Sequence, residues 1–254
     1  MKNVLFTLSL FLVSGISFAQ IIVMDVVQVK EGMSNDYEAV EKFVAPIMEL
    51  AVENGDKMGW YIFKRLEGGD LSEAGNKGIG DYMIINVYKD EAQMNAQSVE
   101  TFTAYAKKAY KGKMSNRAID RRMNSLMDAR EDTRTYVLEN IYYTKPNSLN
   151  VGDVVTVFPA EQLNSDYEQF EMEFYRPMWE KNILTGAHRA WNFNRIIDRT
   201  ENAYQNLTHI IFNVAGTGEL QFDTGFLSTK LAEMGQASRK GFDPAQMQLI
   251  HIKE

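Results

Sequence analysis

The sequence contains no cysteine, and only five prolines and three histidines occur in its 254 residues. Without cysteine, the protein has no disulfide bond, no thiolate nucleophile and no cysteine-ligated metal, so its stability depends on an apolar core. Basic residues are in the minority, and the formal net charge is −7. This balance disfavours nucleic acid and anionic lipid as partners, since both bind basic surfaces.

Residues 1–19 have the pattern of a secretory signal peptide. An apolar run from Val4 to Val13 is too short to span a bilayer. Ser17 and Ala19 then place small residues at the −3 and −1 positions before Gln20. We therefore expect cleavage after Ala19 and a periplasmic or secreted protein without membrane insertion; a retained membrane anchor is the alternative.

A short segment occurs twice, as NDYEAV at 35–40 and as SDYEQF at 165–170. After one inserted residue the two stretches continue to match. The further pairs are Phe43 with Phe174, Pro46 with Pro177, Gly55 with Gly186, Trp60 with Trp191 and Lys64 with Arg195. Upstream, DVVQV at 25–29 matches DVVTV at 153–157. A period of about 130 residues is too long for a solenoid and indicates a duplicated domain, with repeats at 20–144 and 145–254.

Each repeat has the pattern of a strand, a helix, two strands, a helix and a strand. The segment IIVMDVVQV is rich in valine and isoleucine, as in a buried strand. From Tyr37 onward, apolar residues recur at the spacing of one helix face. Asn35 with Glu38, and Ser165 with Glu168, have the spacing of a capping box, which predicts that each copy of the segment begins a helix.

Two tandem βαββαβ units with apolar first strands resemble the dimeric α+β barrel superfamily. The segment VKEGMSNDYEAVEKF is similar to its first strand-to-helix passage, whereas VFPAEQLNSDYEQF in the second repeat lacks the glycine turn. The resemblance implies an α+β fold in which two ferredoxin-like units form one pseudo-symmetric barrel, within one chain or in a homodimer. Members include monooxygenases, haem-degrading enzymes, chlorite dismutases and proteins without known activity, so the fold does not select a function.

All three histidines lie in the second repeat, which places any site there. Side chains alternate between the two faces of a strand. His209 and Asn213 therefore share one face of a predicted strand, and Trp191, Phe193 and Arg195 share one face of the neighbouring strand. Apolar walls with a few polar groups are typical of small-ligand sites. The alternative is structural: the indole N–H groups of Trp60 and Trp191 bond to Asn86 and Asn213 in the core.

Three functions remain open on these residues. The first is an exported binding protein or cofactor-free enzyme for a small apolar or aromatic molecule. Trp191 and Phe193 would form walls, His209 or His188 would be the general base, and Asn213 and Arg195 would anchor polar groups. The second, which the resemblance implies, is a haem-binding oxygenase or peroxidase-like protein with His188 or His209 as ligand. The third is a non-catalytic structural or interaction module.

Resident metal is not expected, because the sequence lacks the HExxH, DxDxDG and GxxxxGK(S/T) motifs.

The signal-peptide prediction is tested by expressing the full chain in a bacterium with a periplasm. We expect mass spectrometry of the periplasmic protein to give an amino terminus at Gln20, because small residues occupy the −3 and −1 positions. Ala19→Tyr, which removes the small residue at −1, should leave an unprocessed form. Recovery of the intact amino terminus from the soluble fraction of the cytoplasm would contradict export.

Overall fold

A computed structural model describes residues 20–70, 78–144 and 149–254. The predicted signal peptide, 1–19, lies outside the described residues, as does the predicted start of the second repeat at 145. Within the described part of the chain, no helix is long and apolar enough to cross a membrane.

The first half of the chain contains four strands and four helices in the described residues. They are β1 (Ile21–Val29), α1 (Ser34–Glu53), β2 (Gly59–Gly68), β3 (Tyr82–Tyr88), α2 (Glu91–Asn95), α3 (Val99–Ala109), α4 (Asn116–Asn124) and β4 (Arg130–Tyr143). The strands are ordered β4-β1-β3-β2, and each neighbouring pair is antiparallel. This is the strand order of a ferredoxin-like unit, as the sequence pattern predicted.

The second half repeats this order with a different helical layer. Its elements are β5 (Val154–Gln162), α5 (Tyr167–Gln169), a π-helical turn (Phe170–Tyr175), α6 (Arg176–Leu184), β6 (His188–Arg199), β7 (His209–Ala215), α7 (Phe226–Ala237), β8 (Arg239–Gly241) and β9 (Ala245–Lys253). The strands are ordered β9-β5-β7-β6, and the short β8 extends the β9 side of β5.

Pairing between the halves closes the barrel within one chain. Strand β2 pairs with β9, and β4 pairs with β6, so each edge of one sheet meets an edge of the other. The result is a closed barrel of eight strands with helices outside. Closure removes the free strand edges that invite aggregation. The predicted α+β fold, with two ferredoxin-like units in one barrel, is thereby confirmed.

Alternation along the strands divides the apolar residues between two sides of the barrel wall. Met24, Met83, Leu138, Val157 and Leu249 belong to a buried cluster that fills the interior. Residues of opposite parity face the helices and form a separate cluster in each half. Strands such as β1 and β3 are therefore apolar on both faces, which explains why these two read as continuous apolar runs in the sequence.

The helical layer is complete only over the first half. Ala106 of α3 and Ile119 of α4 are buried against α1 and the sheet. The second half has no counterpart of α4 among the described residues, and α7 buries only Gly235. The outer face of the second sheet is therefore less covered than that of the first.

The one-residue insertion between the repeats coincides with the π-helical turn. Helix α1 runs through Phe43 without interruption, whereas Phe174, its match, lies inside the turn at 170–175. A π-turn accommodates one extra residue in a helix, and such turns are frequent at functional sites.

The match of DVVQV with DVVTV is wrong in register. Val27 pairs with Tyr82, which begins β3, whereas Ala160 pairs with His209, which begins β7. Ala160 is therefore the counterpart of Val27. Asp153, which the sequence match pairs with Asp25, lies just before β5 begins at Val154. Short valine-rich segments match by composition, so their alignment does not fix the register.

Each copy of the repeated segment begins a helix, as predicted, but the capping box itself does not form. Helix α1 begins at Ser34 without a side-chain cap, and α5 begins at Tyr167 without one. Glu38 instead accepts hydrogen bonds from Lys64 Nζ at 2.8 Å and from the Tyr82 hydroxyl at 2.9 Å. These bonds join the first helix to β2 and β3.

We call this set of bonds, from a glutamate of the first helix to side chains of two strands, the clamp. The second repeat has the same clamp with different partners. Glu168 accepts hydrogen bonds from Arg195 Nε at 2.7 Å and Nη2 at 2.5 Å, and its Oε1 lies 3.1 Å from Nε2 of His209. Arg195 Nη1 also donates to Glu139 at 2.9 Å. The repeated glutamate therefore fixes the first helix of each half to the two strands beneath it.

We expect Glu168→Gln to lower the free energy of unfolding at pH 7 by about 1–2 kcal/mol, toward the low end because Arg195 is half exposed. Arg195 lowers the pKa of Glu168 below its ordinary value of 4.5. The stabilisation is thus complete above pH 4.5 and is lost as the pH falls through the lowered pKa.

Urea denaturation of the wild type and Glu168→Gln at pH 7 and at about pH 3.5 measures this difference. The exposed Glu219→Gln, with the same change of charge, should be neutral. Equal effects of Glu168→Gln at both pH values would contradict an ionic clamp.

Candidate functional site

A cleft of about 530 Å³ opens between the second sheet and its helices. Aromatic side chains supply much of its wall, namely Phe158, Phe174, Trp179, Trp191 and Phe222. Residues of α7 and the segment before it form the outer rim. The cleft occupies the region that α3 and α4 fill in the first half, so the missing helix creates it.

The carboxyl group of Glu171 lies in the wall of this cleft. Glu171 belongs to the π-helical turn and is 1% exposed. Burial raises the pKa of Glu171 to about 7, although the nearby charge of Arg239 opposes the shift. A carboxyl with a pKa near 7 can accept and return protons at neutral pH.

Arg239 is the charged partner of this carboxyl group. It donates a hydrogen bond from Nη1 to Glu171 Oε1. Its guanidinium carbon lies 5.6 Å from the ring centre of Tyr167 and 5.2 Å from that of Tyr175. The two rings and the carboxylate fix the orientation of the arginine at the cleft wall, since all three attract its positive charge.

The first half contains the same set of groups without a cleft. Glu41 is 2% exposed, Arg130 Nη2 donates to its Oε1 at 3.3 Å, and the Arg130 guanidinium lies 5.6 Å from the Tyr37 ring. Burial raises the pKa of Glu41 as well. The buried tyrosine, glutamate and arginine are thus part of the fold in both halves, and of the two sets in the described chain it is the second that lines this cleft.

Trp191 and Asn213 are the two residues of the sequence prediction that line the cleft. Among the described residues, Trp191 Nε1 and Asn213 Oδ1 have no hydrogen-bond partner, although both are buried. Trp60 Nε1 also has none. The expected indole-to-asparagine bonds are therefore absent; in the first half, Asn86 instead accepts from Lys57 Nζ at 2.7 Å.

His188 lies behind the cleft wall. It is 4% exposed, its Nε2 has no partner among the described residues, and its ring centre is 4.7 Å from that of Trp179, which lines the cleft. Burial lowers the pKa of His188, and Asn213 opposes this shift without reaching good hydrogen-bond geometry.

Phe193, Arg195 and His209 do not line the cleft. His209 is stacked on Phe193, with ring centres 5.2 Å apart, and is bonded to Glu168. Its Nδ1 lies 2.9 Å from the Thr208 hydroxyl, so both ring nitrogens have partners. Burial lowers the pKa of His209. Arg195 belongs to the clamp around Glu168. Phe193, Arg195 and His209 therefore lie beside the cleft and not in its lining.

The described residues do not fit a haem group. An axial ligand needs a histidine nitrogen that faces a cavity. His209 has partners on both nitrogens, and His188, whose Nε2 has no partner among the described residues, lines neither the cleft nor the other cavity described below. The described residues also contain no group of three histidine or acidic side chains that could hold a metal ion.

Sequence reasoning missed Glu171 and Arg239. The signal was present, because Tyr37 and Glu41 recur as Tyr167 and Glu171 at the same spacing. The inserted residue follows directly after this pair and marks the π-helical turn. Arg239 could not be found by comparing the repeats, because the short strand that it begins, β8, has no separate counterpart in the first half.

No protein-family model and no curated protein sequence matches the chain. Among solved structures, a provisionally assigned monooxygenase from Fusobacterium nucleatum subsp. nucleatum is similar, with a TM-score of 0.56, 10% identity, and coverage of 93% of this chain and 95% of that chain.

Two further structures are similar at the same level. A provisionally assigned monooxygenase from Lactobacillus acidophilus has a TM-score of 0.54 and 11% identity, and the match covers 92% of this chain and 95% of that chain. An anthrone oxidase-like protein has a TM-score of 0.51 and 10% identity, and the match covers 92% of each chain. The chain thus has the fold of the dimeric α+β barrel superfamily, closed here within a single polypeptide.

Proposed function

We propose that the protein is an exported, cofactor-free enzyme that removes a proton from a small aromatic molecule bound in the second-half cleft. The observation that carries this proposal is the buried Glu171 carboxyl, which lies in the wall of an aromatic cleft with a pKa raised to about 7. Perturbed carboxyl groups in clefts are candidates for acid–base catalysis.

The cleft suits a flat, mostly apolar ligand. Its volume of about 530 Å³ lies within the range of small-molecule sites, and aromatic side chains dominate its wall. Two buried polar atoms, Trp191 Nε1 and Asn213 Oδ1, lack partners within the described residues. A ligand with an acceptor oxygen and a hydroxyl could satisfy one atom each, which favours a phenol or a ring ketone.

Glu171 and Arg239 would divide the work of proton removal. The substrate O–H or activated C–H donates its proton to a carboxylate oxygen of Glu171, and the electron pair stays on the substrate. Arg239 remains charged throughout and stabilises the anion that forms, because it is fixed beside Glu171 by two tyrosine rings.

The names of the similar structures suggest dioxygen as the second substrate. Two are provisionally assigned monooxygenases and one is anthrone oxidase-like. A carbanion formed at a ring CH₂ group would transfer its electrons to dioxygen. Conversion of that CH₂ to a carbonyl by one O₂ releases one water, and the step then needs no resident cofactor.

Glu171→Gln tests the proposed base, with aerated anthrone as the probe substrate. We expect kcat to fall by at least about 100-fold, which is the lower range for loss of a general base. Glu41→Gln is the matched control, because it removes the same buried carboxyl beside Arg130 in the half without a cleft. Both variants should lose stability, and only Glu171→Gln should lose activity.

Anthrone binding, followed through tryptophan fluorescence, should be similar in the wild type and Glu171→Gln. Equal activity losses in both variants would show that the carboxyl matters only for folding. Absence of both turnover and binding in the wild type would remove the proposed function.

The activity should depend on the protonation of Glu171. Because the base works only when ionised, kcat should rise about tenfold per pH unit below pH 7 and level off above it. A stopped-flow pH profile from about pH 5 to 9 measures this. A flat profile with intact binding would exclude Glu171 as the base.

Titration with haemin tests the competing haem function. We expect no saturable Soret shift, since both ring nitrogens of His209 have partners and His188 lines neither of the two cavities described. A stoichiometric shift that His188→Ala or His209→Ala abolishes would instead identify a haem protein and its ligand.

A further inference from the structure

A second cavity, of about 320 Å³, lies inside the barrel at one end, on the opposite side of the sheet from the cleft. Seven of the eight barrel strands contribute to it, at the starts of β1, β2, β5 and β6 and the ends of β3, β4 and β7, and Glu254 adds to the lining just after β9. We call it the mouth cavity. Its wall includes Ile22, Phe63, Val87, Ala190 and Phe212.

The two ends of the barrel differ. At the far end, Ile79, Ala203 and Leu207 are buried and close the interior with the residues that flank β3 and β7. Within the described residues, no such plug fills the mouth. Cavities at the mouths of β-barrels are common positions for small ligands, and eight strands leave room for one.

The polar groups of the mouth cavity lie at its rim. The hydroxyl of Tyr61 donates to Glu254 Oε1 at 2.8 Å, and Asn192 and Thr144 add neutral polar groups. Among the residues that the structure describes, no lysine, arginine or histidine lines the cavity. An anionic ligand such as a fatty acid would therefore meet the Glu254 carboxylate without a compensating charge.

We propose that the mouth cavity is a second binding site, for a small uncharged molecule with an apolar body and a single hydroxyl or amide end. The apolar body lies among the interior side chains, and the polar end lies at the rim near Asn192 and Glu254. The volume is at the lower end of the range for ligand sites, about 300–1,000 Å³, which suits a short chain or a single ring.

This site is separate from the cleft, although Trp191 contributes to the lining of both. Trp191 is held at the mouth through its backbone, because Thr144 Oγ1 accepts from its N–H at 2.8 Å and Thr144 N–H donates to its carbonyl at 2.9 Å. The inference does not depend on the proposed enzymatic activity.

Saturation-transfer NMR with 1-octanol and with octanoate tests the site on the chain 20–254. We expect saturable 1-octanol binding with Kd below about 1 mM, and binding of octanoate at least about tenfold weaker. Glu254→Gln should reduce the difference between the two probes, because it removes the rim charge.

Two variants distinguish the cavities. Ala190→Phe fills the mouth cavity and should abolish 1-octanol binding, whereas Ala232→Phe fills the cleft and should leave it unchanged. If Ala190→Phe fails to fold, Val87→Phe fills the same cavity from β3.

Loss of binding in Ala232→Phe with retention in Ala190→Phe would place the probe in the cleft and overturn the proposal. Non-saturable binding, or equal affinity for octanoate and 1-octanol in the wild type, would overturn it as well.

Discussion

The structure depends on the closure of one barrel by two halves of the same chain. Each half alone is a sheet of order 4-1-3-2 with two free edges, and exposed edges are a liability. The pairs β2 with β9 and β4 with β6 remove all of these edges. Closure also leaves the helices of the described chain outside the barrel, so that strands such as β1 and β3 bury apolar residues on both faces. Closure therefore leaves two separate spaces. One lies inside the barrel, and the other lies between the outer face of the barrel and the helices.

Duplication gave both halves the same internal supports, and their differences determine where chemistry is possible. The glutamate of each repeated segment clamps the first helix to two strands, through Lys64 and Tyr82 in one half and Arg195 and His209 in the other. Both halves also bury a glutamate beside an arginine. The first half covers this pair with α3 and α4, whereas the second leaves it at a cleft.

The sequence predicted the fold well, because its signals were long. Strand alternation, the helix stripe from Tyr37 and the repeat each extend over many residues, so local errors do not change the architecture. Short signals failed. The DVVQV match shifted by five residues, since valine-rich strands resemble each other in any register, and the capping-box spacing described glutamates that bind other strands.

The candidate site was less predictable for a physical reason. Strand parity placed Trp191 and Asn213 correctly at one surface, but it could not tell which side chains the helices would cover. His209 looked reactive because histidine titrates near neutral pH, yet Glu168 occupies its Nε2 and the Thr208 hydroxyl its Nδ1. Glu171 was missed, and its partner Arg239 comes from a short strand that pattern alone does not reveal.

The buried glutamate and arginine explain how a structural element can acquire a catalytic role. Removing either partner of a buried pair leaves an uncompensated charge, so the fold retains both whether or not chemistry is performed. Burial is also the main cause of the raised pKa of Glu41 and Glu171. Burial therefore raises the pKa of one carboxyl in each half as a consequence of packing, and for Glu171 it raises the pKa to about 7. Within the described chain, the second half lacks one covering helix and carries one inserted residue in the π-helical turn, and there the 1% exposed Glu171 is among the residues that line the cleft.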